Sequence, residues 1–231
     1  MARKRRVNST KVEIIQVANR LFLEKGVTNT SIKMICDELD ISAGNLTFHF
    51  PTKEHLLAVL VELLCKFQWE IVQKETDGGM SSLLAICLEL VAMAAICEEN
   101  RIAKDFYISA YTHPMSLEII RRSDARRARE VLEEFGLCYD EARFCQKEIL
   151  ISGIEYGTLM TTGEDVPLQQ RIAGALEGIM GIFEIPEDVQ KVKIRKALAV
   201  DSRLLGRRIF REFMEYVENL SEQELEELLR K

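Results

Sequence analysis

The chain has 231 residues, 47% of them hydrophobic, with only four prolines and twelve glycines, and no alternating strand pattern, so a sizeable all-α fold is expected. Its net charge of −6 is unevenly spread: residues 1–55 hold nine Lys and Arg against six Asp and Glu, leaving 22 against 31 for residues 56–231. That pattern suits a protein meeting nucleic acid with one end only, and no apolar run approaches the roughly 18 residues of a membrane span.

Residues 1–9 carry Arg3, Lys4, Arg5 and Arg6 without an apolar stretch behind them, which excludes a secretion signal and points to the cytoplasm. They read as a flexible basic arm, of the kind that enters a minor groove beside a helix-turn-helix. A solvated tail is the plain alternative.

Residues 10–51 divide into three amphipathic segments. In the first, Thr10 and Glu13 have capping-box spacing, Ile14, Ala18, Leu21 and Phe22 share a face, and Gly26 stands where a left-handed stop is needed. In the second, Thr30 or Ser31 caps a stripe of Ile32, Ile35 and Leu39. The third opens at Ser42, with Ile41 and Leu46 spaced as a hydrophobic staple. Only Asp40 and Ile41 separate the second helix from that cap, and so tight a turn makes the helices cross steeply.

The third helix, about two turns long, needs its neighbours for stability. With Leu46 inward, Ala43, Gly44, Asn45, Thr47, Phe48 and His49 fall nearer the outer face. Gly44 allows close approach of backbone to phosphate. Asn45 suits an adenine edge, Thr47 a thymine methyl or hydroxyl-sized partner, and Lys53 a phosphate. The alternative is a small three-helix packing unit with an ordinary polar face.

These residues resemble the DNA-binding domain of the TetR family of bacterial repressors: LFLEKG closing the first helix, TS opening the second, AG then NLTFHF in the third, and PTKEHL starting the fourth. The resemblance covers roughly residues 10–60. It implies a homodimer on a palindromic double-stranded operator, released when a small molecule binds the C-terminal region. Position by position it implies DNA contacts from Lys33, Ser42, Ala43, Asn45, Thr47, Phe48, His49 and Lys53. Thr47 departs from the pattern, since the family usually has Tyr there.

Residues 52–231 read as a helical effector-binding and dimerisation domain. After Pro51, Thr52 caps a helix whose apolar positions run from Leu56 to Ile71, long enough to act as a rod of more than about 30 Å. Gly78 and Gly79 mark a turn. Further helices are expected at 80–98, 100–112, 115–135, 139–162, 167–184, 187–200, 202–219 and 222–230, the last with Ser221 and Glu224 in capping-box register.

A pocket between helices needs apolar walls with a few polar groups. Candidates to line it are Phe67, Trp69, Phe106, Tyr107, Tyr111, His113, Glu155, Tyr156 and Met160; most are individually better explained as core or surface residues, and the cluster Phe106 to His113 is favoured because it combines rings with hydroxyls in one short helix. Gly153 and Gly157, four apart beside Ser152, allow close helix approach, either inside one subunit or, as the resemblance favours, at a dimer interface with one later helix. Arg121, Arg122, Arg126, Arg127 and Arg129 form a second basic run that reads as a solvated, salt-bridged face.

Six cysteines form no C-x-x-C pair and read as reduced core residues. Three scattered histidines, with no metal-ligand spacing, nucleophile motif or phosphate loop, argue against an enzyme or a cofactor. Two inputs remain for such a DNA reader, a small molecule or a protein partner.

Overall fold

In the computed structural model the described residues are 2–75, 82–163 and 165–229, with side chains described from residue 11 onward. Among them the chain forms helices only: α1 (Ala2–Lys25), α2 (Ile32–Leu39), α3 (Ala43–His49), α4 (Lys53–Glu75), α5 (Ser82–Glu99), α6 (Arg101–Thr112), α7 (Pro114–Glu134), α8 (Glu141–Met160), α9 (Leu168–Ile182), α10 (Glu187–Leu198), α11 (Ser202–Glu218) and α12 (Glu222–Leu229). The turn expected at Gly78 and Gly79 lies outside the described residues.

Local chemistry accounts for most of these boundaries. Asn100 Oδ1 accepts from the Ile102 and Ala103 amides at the start of α6, and Pro114 opens α7, where its missing N–H costs nothing. Ser221 and Glu224 form a reciprocal capping box ahead of α12, with bonds of 2.9 and 3.2 Å. The start of α1 differs from expectation. Thr10 and Glu13 do not begin the helix, because α1 already runs from Ala2 and takes in the segment read as a flexible arm. No Gly or Pro interrupts residues 2–10, and Ala, Arg and Lys are good helix formers, so nothing local ends the helix there.

The first three helices pack around Ile14, Ile15, Ala18, Leu21, Phe22, Ile35 and Leu46, all essentially inaccessible, and Leu56 and Leu57 of α4 close this core from below. Ile15, placed at the edge of the α1 stripe, is as buried as Ile14. The α4 rod then enters the larger helical body.

At the centre of that body lies α5, whose residues from Leu83 to Cys97 are buried apart from the partly exposed Ile86 and Glu89. Around it pack α4, α6, α7, α8, α9, α10 and α11. The α11 crossing is the closest: a Cβ on Gly206 would lie 2.6 Å from the Ala92 carbonyl oxygen. The far end of α11 reaches α1, where Gln16 Nε2 donates to the Glu218 carbonyl at 2.9 Å. No helix among the described residues is long and apolar enough to cross a membrane.

Candidate nucleic-acid interface and internal cavity

The α2–α3 corner is built from short-range interactions. Ser31 Oγ accepts from the Met34 amide, so Ser31 is the α2 cap. Thr30, the alternative cap, is buried, and its hydroxyl donates to the carbonyls of Leu21 and Gly26, tying the α1–α2 loop together. Asp40 takes a left-handed conformation (φ 52°, ψ 44°), and the Ile41 amide reaches back to the Cys36 carbonyl at 3.1 Å. This stop lets Ser42 begin α3 at once, its hydroxyl accepting from the Asn45 amide at 3.1 Å.

Leu46 anchors α3 with no exposed surface. Around it Ser42, Ala43, Gly44, Asn45, Thr47 and Phe48 are exposed, as is Lys33 on α2, while His49 is half-buried. Phe48 is 78% exposed. It meets His49 edge-on at 5.2 Å. Burial, with Lys11 nearby, holds the His49 pKa below its ordinary value. Thr47 Oγ1 donates to the Ala43 carbonyl at 2.9 Å, so its methyl is the part least committed within the helix.

Lys53, expected to meet a phosphate, is also engaged within the chain. Its ammonium donates to the carbonyls of Val27 and Thr30, at 2.8 and 3.0 Å, bracing the α1–α2 loop from the start of α4. Beside it Asp105 of α6 accepts from the Thr28 amide at 3.0 Å and from the Thr28 hydroxyl. A Cβ on Gly26, itself at φ +91°, would stand 2.8 Å from that carboxylate. Loop, α4 and α6 therefore meet at one junction.

A cavity of about 60 Å³ lies inside the body, walled by α4 to α9. Of the residues expected to line a pocket, Tyr107, Tyr111 and Glu155 do so. The Tyr107 hydroxyl donates to Gln68 Oε1 and the Tyr111 hydroxyl to Glu155 Oε2, both at 3.0 Å. The others lie elsewhere. Phe67 stacks on Tyr216 and tilts against Phe213 of α11. Trp69 lies under the Arg127 guanidinium at 4.7 Å, behind the cavity wall. Phe106 is buried edge-on to Tyr107. His113 lines a separate cleft with Lys53 and Glu54 near the Asp105 junction. Tyr156 is half-buried away from the cavity, and Met160 is 46% exposed.

Four further charged residues, not among those expected from the sequence, reach the cavity: Glu89, Asp124, Arg127 and Glu148. Arg127, counted within a solvated run, is only 4% exposed; its Nη1 holds both Glu89 oxygens at 2.7 and 2.8 Å and Asp124 at 3.8 Å. A usable signal existed, since Glu89 is the only charged residue from Ser82 to Cys97 of a helix that is otherwise apolar. Burial raises the carboxyl pKa of Glu148 to about 8, reinforced by Asp124 and opposed by Arg121 and Arg129. Burial likewise raises Asp124, with Glu89 adding repulsion and Arg127 opposing it. Glu155 is raised well above the ordinary value, again by burial first.

On the other side of α8, Gly153 and Gly157 face open space, as do Gly174 and Gly181 of α9. Beside them Ile149 and Leu150 are 55% and 54% exposed. Of the remaining arginines of the α7 run, Arg122 pairs with Glu62 at 3.4 Å and Arg129 with Glu141 at 2.6 Å, as expected for a salt-bridged surface, whereas Arg121 Nε donates to Ser152 Oγ at 2.9 Å. Of the cysteines, Cys36, Cys87 and Cys97 are buried, whereas Cys138 and Cys145 are exposed, correcting their assignment to the core; both flank the start of α8, outside its packed face.

Known proteins agree with this geometry. The family profile described as bacterial regulatory proteins, tetR family, matches residues 14–60. The chain is 22% identical over 183 residues to the HTH-type transcriptional regulator AcrR of Shigella flexneri, covering 77% of this chain and 82% of that one. It is 34% identical over 55 residues to the HTH-type transcriptional repressor KstR2 of Mycobacterium tuberculosis, covering 24% of this chain and 28% of the relative. The crystal structure of RolR without ligand shares the fold, with a TM-score of 0.53 at 20% identity over 75% of this chain and 96% of that one. The N-terminal helix-turn-helix is thus similar to that of the tetR family of bacterial regulatory proteins, and it stands on an all-helical body.

Proposed function

We propose that this chain is a homodimeric repressor that binds a palindromic operator and is released by a small molecule bound in the α4–α9 cavity. The observation that carries the reading is the outward edge of α3: Ser42 to Phe48 present exposed polar, small and aromatic groups around one fully buried Leu46. Such an edge suits a major groove, with Asn45 reading a base and its neighbours holding the backbone. Two copies then place their α3 helices one helical turn apart, about 34–36 Å on relaxed B-DNA.

The outer face of α8 and α9 supports a two-fold interface, since small residues let two helix pairs approach closely and Ile149 and Leu150 supply apolar surface to bury. Coupling has a physical route. Helix α6 bears Tyr107 and Tyr111 in the cavity wall and Asp105 on the DNA-side loop; α4 bears Leu64 and Gln68 in the same wall and Lys53 on the same loop. An occupant that shifts either helix strains that loop. It must favour the DNA-incompetent arrangement, because equal affinity for both would shift nothing. The enclosed cavity favours a small molecule over a protein as input.

Selection of duplexes from a random pool by the full-length protein tests the reading. The expected result is an inverted repeat, with Asn45→Ala lowering affinity about 5- to 150-fold, equivalent to about 1–3 kcal/mol, and relaxing preference at one position per half-site. Enrichment of no sequence, or an Asn45→Ala variant that selects the same site with the same affinity, would refute it.

A further inference from the structure

The cavity holds more carboxylate than its guanidinium can balance. Glu89, Asp124, Glu148 and Glu155 face it with Arg127 as the one cation among its lining residues, and Arg127 is committed to Glu89 and Asp124. Glu155 is left with the Tyr111 hydroxyl. Glu148 is 4% exposed and, among the described residues, accepts no hydrogen bond and has no cation within 4 Å, Arg121 and Arg129 acting on it only from farther away. A buried carboxyl with no hydrogen-bond donor and only distant cations is expensive in an interior that could have held Leu or Met at the same position.

The surroundings indicate what could complete it. Val61, Leu64, Ile120 and Ile151 supply apolar wall, and Tyr107 and Tyr111 add rings whose faces attract cations. Among the described residues, no group of three or more His, Cys, Asp or Glu is arranged to hold a metal ion. Glu148 and Glu155 are seven residues apart, on the same inward side of α8. We propose that the cavity is a binding site for a hydrophobic organic cation, an alkyl- or aryl-substituted amine or quaternary ammonium, whose charge sits against Glu148 with Glu155 nearby and whose apolar part packs on the aliphatic and tyrosine wall. That this occupant is the effector rests on the function proposed above; that the cavity prefers a cation does not.

Left alone, buried Glu148 and Glu155 hold their protons more tightly than ordinary carboxyls; a cation favours their ionised forms and so recovers part of the cost of burial. A neutral molecule of the same shape gains only the apolar contacts. The cavity volume of about 60 Å³ is below that of sites enclosing drug-sized molecules, so a modest cation, admitted by rotamer shifts of residues such as Met93, is the suitable probe.

Phenyltrimethylammonium and tert-butylbenzene have nearly the same shape and differ by a positive nitrogen in place of a carbon. Titrated against the full-length protein by ligand-observed NMR, the cation is expected to bind at least about tenfold more tightly, a difference of about 1.4 kcal/mol. Glu148→Gln is expected to remove most of that preference while leaving tert-butylbenzene within about twofold. Comparable affinities for the two probes in the unaltered protein, failure of the cation to bind, or an unchanged preference in Glu148→Gln would overturn the proposal. Release of the selected operator by phenyltrimethylammonium is read separately. Binding through Glu148 without release upholds the cation site and counts against the effector reading alone.

Discussion

Glu148 illustrates how one buried carboxyl ties chemistry to stability. Its folded-state pKa of about 8 lies above the ordinary 4.5, so the native chain keeps a proton that the unfolded chain has released. Stability from this group is therefore full below about pH 4.5 and is lost as pH rises towards 8, with a slope of at most about 1.4 kcal/mol per pH unit. Thermal melts between pH 5 and 8 are expected to show a falling Tm, and Glu148→Gln to flatten that fall; parallel curves for the two proteins would mean the carboxyl is already ionised at pH 5. Glu148 is hard to single out in the sequence because Glu141, Glu148 and Glu155, seven residues apart, look like one solvated face of α8. By contrast Ser42 was legible, since a cap acts on an amide three residues away and needs no distant partner.

Helix pairs depend on contacts with longer reach. Gly206 brings α11 against α5 so closely that Gly206→Ala sets a methyl 2.6 Å from a backbone oxygen, which cannot rotate away. The helices must separate, and destabilisation of about 1–3 kcal/mol is expected in urea unfolding, despite the better helix propensity of Ala. A variant as stable as the parent would show that the crossing is looser than described. The junction of α6 with the α1–α2 loop makes a complementary case. Asp105→Asn keeps the shape but weakens the charge-assisted bonds to Thr28, so operator affinity is expected to change while cavity binding of phenyltrimethylammonium stays within about twofold. Loss of both together would mean that Asp105 supports the fold of the body rather than its connection to the DNA reader.

The proposed assembly uses surface left uncovered. Ile149, Leu150 and the glycines of α8 and α9 form a patch that a second copy would bury. Gly157→Trp places a large ring on this face, where a Cβ meets nothing within 4 Å in the monomer. Sedimentation is expected to show monomers with operator affinity sharply reduced, and a tight dimer would move the interface elsewhere. Gly153 and Gly157 were visible in the sequence, yet only the packing tells that they face outward and that α9 lies beside them.

Amino-acid order was enough for the all-helical fold, the helix limits at Asn100, Pro114 and Ser221, and the exposed edge of α3, because caps, breakers and apolar periodicity act over a few residues. It misjudged the start of α1, where no breaker stands, and did not reveal that two loop carbonyls engage the Lys53 ammonium. Packing alone decided which of the candidate aromatics reach the cavity, that Arg127 is buried, and that carboxyls from α5, α7 and α8 share one enclosed space. That outcome depends on how six helices are rotated about their axes relative to one another, and no local signal encodes a rotation set by the summed fit of the whole core.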